Sequence, residues 1–168
     1  MLFDLGNIEN MIKILIKNGA YVNKENENDE TILFDLCNKY CESDSNMFFD
    51  LGNVENMIKI LIENGAYVNK ENENDETILF YLCNKYCESD SNMSFDLGNV
   101  ENMIKILIEN GADVNKVNKY GETILYYIFN KYYNIYSDKI SNLENIENIV
   151  KILNENGANI DTKDFLSY

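Results

Sequence analysis

The residues best equipped for chemistry are four cysteines in two identical pairs, Cys37/Cys41 and Cys83/Cys87. On a helix, a spacing of four puts both thiols on one face. Such a pair could hold a soft metal as thiolates. Core filling is the reading favoured instead, because the third occurrence of the segment carries Phe129 and Tyr133 at these places. A four-thiolate zinc site would also have to draw together helices whose axes pack about 8–10 Å apart, onto bonds of about 2.3 Å. A disulfide within one helix fails on reach, since i,i+4 Cβ atoms lie about 5–6 Å apart and a disulfide needs about 3.5–4.5 Å. No metal and no cofactor is expected.

The acidic runs Glu25–Glu30 and Glu71–Glu76 could suggest calcium. They lack the central glycine and the spaced bidentate glutamate of a helix–loop–helix calcium site, so they read as solvated loop charge. The chain has no histidine, hence no imidazole to activate a serine or cysteine. It has no glycine-rich phosphate loop. The expectation is a protein that is not an enzyme.

Charge narrows the partner class. The 168 residues carry 29 acidic groups against 14 lysines and no arginine, a net charge of -15. That field repels phosphate backbones and anionic membrane surfaces, so neither nucleic acid nor membrane is expected as a partner. A basic protein surface is the natural electrostatic match. No apolar run approaches the roughly 18 residues of a membrane span, and the start MLFDLGNIEN lacks the basic and apolar stretches of a signal peptide. Reduced thiols in an intracellular, cytoplasmic setting follow as expectations.

The elements that must position these residues come from internal repetition. Residues 1–46 and 47–92 differ at four positions only: Leu2/Phe48, Ile8/Val54, Lys17/Glu63 and Asp35/Tyr81. Residues 93–138 keep the frame with more drift, and 139–168 are a shortened fourth copy. Asn-Gly-Ala recurs at Asn18, Asn64, Asn110 and Asn156, each 46 residues after the last. Every copy reads as two helices and a polar loop. In TILFDLCNKYC, Ile32, Leu33, Leu36, Cys37, Tyr40 and Cys41 form an apolar stripe of helical period. Thr31 is placed to cap that helix. In NVENMIKILIEN, Met57, Ile58, Leu61 and Ile62 form the buried face, Asn53 is placed as cap, and Gly65 as a left-handed stop.

The unit resembles the ankyrin repeat. The resemblance rests on Gly111-Ala112-Asp113-Val114-Asn115, followed by Asn118, Gly121, Thr123, Ile124, Leu125 and Tyr126, and on the earlier Gly-Ala-Tyr-Val-Asn and Thr-Ile-Leu-Phe copies. It implies an all-α, ankyrin-like solenoid of stacked antiparallel helix pairs with projecting loops. The array then divides into a partial repeat at 1–30, repeats at 31–76 and 77–122, and a shortened C-terminal repeat at 123–168. Three departures stand out. The period is 46, against about 33 for ankyrin, with the surplus in segments such as CESDSNMFFDLGN. Phe34, Phe80 and Tyr126 replace the family's histidine, and Asp29 and Asp75 replace its turn glycine. Phe48, Phe49 and Leu51 predict that the added segment packs on the helices, since burying one such side chain is worth about 1.5–3 kcal/mol. Met11, Ile12, Leu15 and Ile16 should show apolar surface at the first copy, and Asn154 replaces Ile108 in the last.

Function then rests on surface differences between copies. Tyrosines gather on the first helices, at Tyr81, Tyr126, Tyr127, Tyr132, Tyr133 and Tyr136; many of them read as core, and Tyr86 and Tyr132, in the frame of Tyr40, include core positions. The position held by Asp35, Tyr81 and Tyr127 accepts both carboxylate and phenol, which points to partial exposure. Lys119 and Tyr120 fall at a loop tip where the other copies carry Glu-Asn. The resemblance implies that first helices and loop tips line a concave binding face. The expected role is a protein–protein adaptor, with Asp35, Tyr81, Tyr127, Lys119 and Tyr120 contacting the partner. Glu27, Glu30, Glu73 and Glu76 would steer its approach. The competing expectation is a structural or self-associating segment of a longer repeat array that docks through its exposed N-terminal helix face.

Overall fold

The computed structural model describes residues 5–42, 51–88, 97–133 and 143–159, with side chains over 8–39, 54–87, 98–131 and 143–159. Among the described residues the protein is all-helical, with helices α1 (Leu5–Lys17), α2 (Ile32–Glu42), α3 (Leu51–Glu63), α4 (Ile78–Glu88), α5 (Leu97–Glu109), α6 (Ile124–Tyr133) and α7 (Leu143–Glu155). The only extended pairings among these residues are three isolated bridges, Glu25 to Thr31, Glu71 to Thr77 and Val117 to Thr123, which close the polar loops.

Local sequence explains the helix ends. Thr77 and Thr123 each accept the N–H three residues on, from Phe80 and Tyr126 at 3.2 Å, as a capping hydroxyl should. Asn-Gly-Ala builds the C-terminal stop. Gly65 takes φ of 87°, the left-handed region that L side chains avoid. This turns the Ala66 N–H back onto the Leu61 carbonyl at 3.0 Å and the Gly65 N–H onto that of Ile62 at 2.9 Å. The Asn64 side chain covers the Ile60 carbonyl at 2.8 Å. Gly19, Gly111 and Gly157 end their helices in the same way.

Each polar loop winds around one asparagine. Asn72 Oδ1 accepts the N–H groups of Asn74 at 2.9 Å and Glu76 at 3.1 Å. Asp75 then adopts φ of 56°, as Asp29 does at 59°. Aspartate tolerates this geometry better than most side chains, which is why the loss of glycine there leaves the turn intact. One expectation about helix ends is overturned: α3 begins at Leu51, so Asn53 lies inside the first turn and is no cap. First-turn N–H groups have no intrahelical partner to lose, so nothing stops the helix from starting earlier.

Packing joins the copies. Helices α2, α4 and α6 lie against α3, α5 and α7 respectively; α2 touches α4, α4 touches α6, and α2 and α4 also reach α5 and α7. Helix α4 therefore has neighbours on several sides, and Ile78, Leu79, Phe80, Leu82, Cys83, Tyr86 and Cys87 are all buried. Met57, Ile58 and Leu61 of α3 and Met103, Ile104 and Leu107 of α5 meet them in one continuous core. Phe48, Phe49, Tyr136 and most of each added segment lie outside the described residues, as do the side chains of Tyr40, Leu51, Tyr132 and Tyr133.

Candidate functional site

The loops are fastened to one another by a ladder of asparagines. Asn23 Nδ2 donates to the Gly65 carbonyl at 2.8 Å while its Oδ1 accepts the Tyr67 N–H at 2.8 Å. Asn69 does the same to Gly111 and Asp113 at 2.9 and 2.7 Å, and Asn115 to Gly157 and Asn159 at 3.0 and 2.7 Å. Lys70 to Glu25 at 3.3 Å and Lys116 to Glu71 at 3.1 Å add ion pairs between successive loops. At the tips, the Glu73 N–H donates to the Asn28 carbonyl at 3.1 Å, and Lys119 Nζ donates to Asn74 Oδ1 at 3.2 Å. Side chains projecting from these loops therefore stand on a fixed base.

Asp35, Tyr81 and Tyr127 occupy one register on neighbouring helices and all three are half-buried. The tyrosines also have internal duties. Tyr81 tilts against Phe34 of the preceding copy with centroids 5.2 Å apart, and Tyr127 against Phe80 at 5.3 Å. The Tyr81 hydroxyl donates to Asn38 Oδ1 at 2.8 Å. Lys85 Nζ lies 5.4 Å from the Tyr81 ring centre and Lys131 Nζ 5.1 Å from that of Tyr127, within cation–π range. Both tyrosines thus lean on a phenylalanine one copy earlier.

The tip is more open. Tyr120 is 74% exposed, and Lys119 Nζ lies 5.4 Å from its ring centre. Glu27 and Glu73 are exposed, whereas Glu30 and Glu76 are half-buried, with Glu30 accepting from Asn26 Nδ2 at 3.0 Å. The sequence reading missed Tyr21 and Tyr67, which project from the helix-to-loop turns at 65% and 59% exposure. Their signal was present, since that register reads Tyr21, Tyr67 and Asp113. Tyr67, Lys70, Asn110 and Gly111 border an open groove of about 520 Å³ between two such turns.

Cys37, Cys83 and Cys87 are wholly buried, as core residues; the Cys41 side chain lies outside the described residues. Burial pushes the Cys83 thiol well above its ordinary range, and Cys87 adds to the rise. The Phe129 comparison needs correction: Phe129 is 38% exposed, because no further first-type helix covers α6 among the described residues. It does not show that an interior copy has room for an aromatic ring. Among the described residues, no three His, Cys, Asp or Glu side chains gather as a metal group, and no helix is long and apolar enough to cross a membrane. No protein-family model and no curated protein matches the chain.

Proposed function

We propose that this protein is a non-catalytic adaptor of ankyrin-like solenoid form, whose loop tips and first helices bind a protein partner. The observation that carries the reading is the pairing of solvent-exposed tyrosines with a hydrogen-bonded loop base, Tyr120 above all. Tyrosine supplies large contact area and a polar tip at little entropic cost, and a rigid base lowers the ordering penalty of binding. Tyr120, Lys119 and the outward edges of Tyr81 and Tyr127 are the proposed contacts, with Asp35 at the end of the row. Glu27 and Glu73, with Glu30 and Glu76 behind them, would draw in a basic surface. Affinity capture with the wild-type chain, followed by titration of the purified partner against Lys119→Ala/Tyr120→Ala, tests the assignment.

A further inference from the structure

Asparagine followed by glycine occurs four times in the chain, at Asn18, Asn64, Asn110 and Asn156, and every occurrence is a helix stop. The dipeptide carries a reaction of its own. The glycine nitrogen attacks the asparagine Cγ and closes a five-membered imide. The Cγ–Nδ2 bond breaks, and the nitrogen's proton leaves with the departing ammonia. Water then reopens the ring at one of its two carbonyls. The product is an aspartate, or an aspartate whose main chain runs through its side chain. Glycine favours the attack because it has no Cβ to crowd the nitrogen.

All four asparagines are exposed, so water reaches them. Both reacting groups are nevertheless held. Nδ2 of Asn18, Asn64, Asn110 and Asn156 donates to the carbonyl four residues back, at 2.7, 2.8, 2.7 and 2.8 Å. The N–H of the following glycine donates three residues back, at 2.9, 2.9, 3.0 and 3.1 Å. The first bond fixes the amide against its own helix, and the second keeps the proton on the attacking nitrogen.

The product cannot remake the stop. A carboxylate at position 64 has no donor for the Ile60 carbonyl and puts charge at the negative end of α3. The rerouted form adds a carbon to the main chain just before Gly65, whose φ of 87° sets the turn. The Gly65 carbonyl accepts Asn23 Nδ2, and those of Gly111 and Gly157 accept Asn69 and Asn115. These three stops therefore also hold the loop of the preceding copy.

We infer that Asn64-Gly65 and its three equivalents are deamidation sites that the helix end holds shut, that open to water when that end frays, and that afterwards cannot reclose. At Asn64, Asn110 and Asn156 the reaction also unfastens the preceding loop. Each stop opens with its own helix, so the mark records local unfolding copy by copy. The inference is separate from the adaptor reading and stands whether or not that reading holds.

Peptide mapping by mass spectrometry tests this on the full chain, incubated in mildly alkaline buffer with and without unfolding concentrations of urea. Conversion at all four sites should be slower by about tenfold or more in the folded chain. Ile62 is half-buried against the core, so Ile62→Ala loosens the last turn of α3 without opening the interior. It should speed conversion at Asn64 over that at Asn110 by about threefold or more. Asn64→Asp, made directly, should raise the unfolding equilibrium constant by about threefold or more. It should also speed hydrogen exchange of the Tyr67 N–H, which Asn23 holds. Equal rates in the folded chain and in urea overturn the protection, and equal rates at Asn64 and Asn110 in Ile62→Ala overturn opening copy by copy. An Asn64→Asp chain with wild-type stability and exchange overturns the failure to reclose.

Discussion

Asn69 and Gly111 are joined by a hydrogen bond of 2.9 Å that crosses from one loop to the next, and the same amide takes the Asp113 N–H on its oxygen. The side chain thereby meets a donor and an acceptor that two neighbouring peptides would otherwise leave to water. Replacing Asn69 with alanine removes both bonds. At about 0.5–1.5 kcal/mol net for each, the loss should come to about 1–3 kcal/mol in urea unfolding. Asn69→Asp keeps the acceptor and turns a carboxylate toward the Gly111 carbonyl, so it should not restore stability. An unchanged unfolding midpoint in both variants would show that the ladder is ornamental.

Position within the fold should outweigh residue type. Ile32 and Ile78 have the same neighbours in sequence, yet the first is half in water and the second 2% exposed. Ile78→Ala should destabilise by about 2–5 kcal/mol, the range for aliphatic truncation in a packed core. Ile32→Ala should fall within about 1 kcal/mol of wild type. Equal losses would mean that the α1–α2 face is covered in solution.

The helix stops are a backbone matter. A Cβ at Gly65 would meet no atom within 4 Å, so a substitution there is penalised by its φ of 87° alone. Gly65→Ala should lower stability by about 1–2 kcal/mol, and Gly65→Asn by less, because asparagine enters this region more readily. If alanine and asparagine behave alike, the left-handed stop is not what limits that site.

Much of this was legible in the sequence, because each copy checks the others. The cap expected at Thr31 is seen at its equivalent Thr77, and the stop expected at Gly65 is seen there; the aspartate turn at Asp75 followed from the resemblance, and local backbone rules decide all three. The start of α3 was misplaced at Asn53 because cap preference says little when the preceding residues can also be helical. The two roles of Tyr81 were only half visible. Its variation between copies showed partial exposure, but its packing on Phe34, 47 residues away in sequence, depends on how helices meet. The Asn23, Asn69 and Asn115 ladder went unread for the same reason: its partners lie 42 and 44 residues ahead.

The buried thiols set an alkaline limit. Cys83 ionises only well above the ordinary thiol value of about 9 while folded, because burial disfavours the thiolate and Cys87 adds repulsion. The unfolded chain loses that proton near the ordinary value. Stability is thus complete below about pH 9 and is lost as pH rises beyond it. Burial also raises Tyr86, which extends the loss above pH 10. Unfolding midpoints should be flat from neutral pH to the thiol range and then fall, and Cys83→Ala should lessen the fall. Cys37 and Cys83 should resist a bulky thiol reagent until the chain unfolds. Rapid labelling of both in the native protein would contradict their burial.

The adaptor reading is tested most directly by the dissociation constant for the captured partner, measured calorimetrically with the wild-type chain and with Lys119→Ala/Tyr120→Ala. Both side chains lie in solvent, so the variant should keep the wild-type circular dichroism and melting point. Binding should weaken by upwards of about 2 kcal/mol, roughly thirtyfold, if the tip is a hot spot. Reversing Glu27 and Glu73 to lysine should instead slow association at low salt, with little effect on dissociation. A folded Lys119→Ala/Tyr120→Ala chain that binds the partner with unchanged affinity would contradict the account.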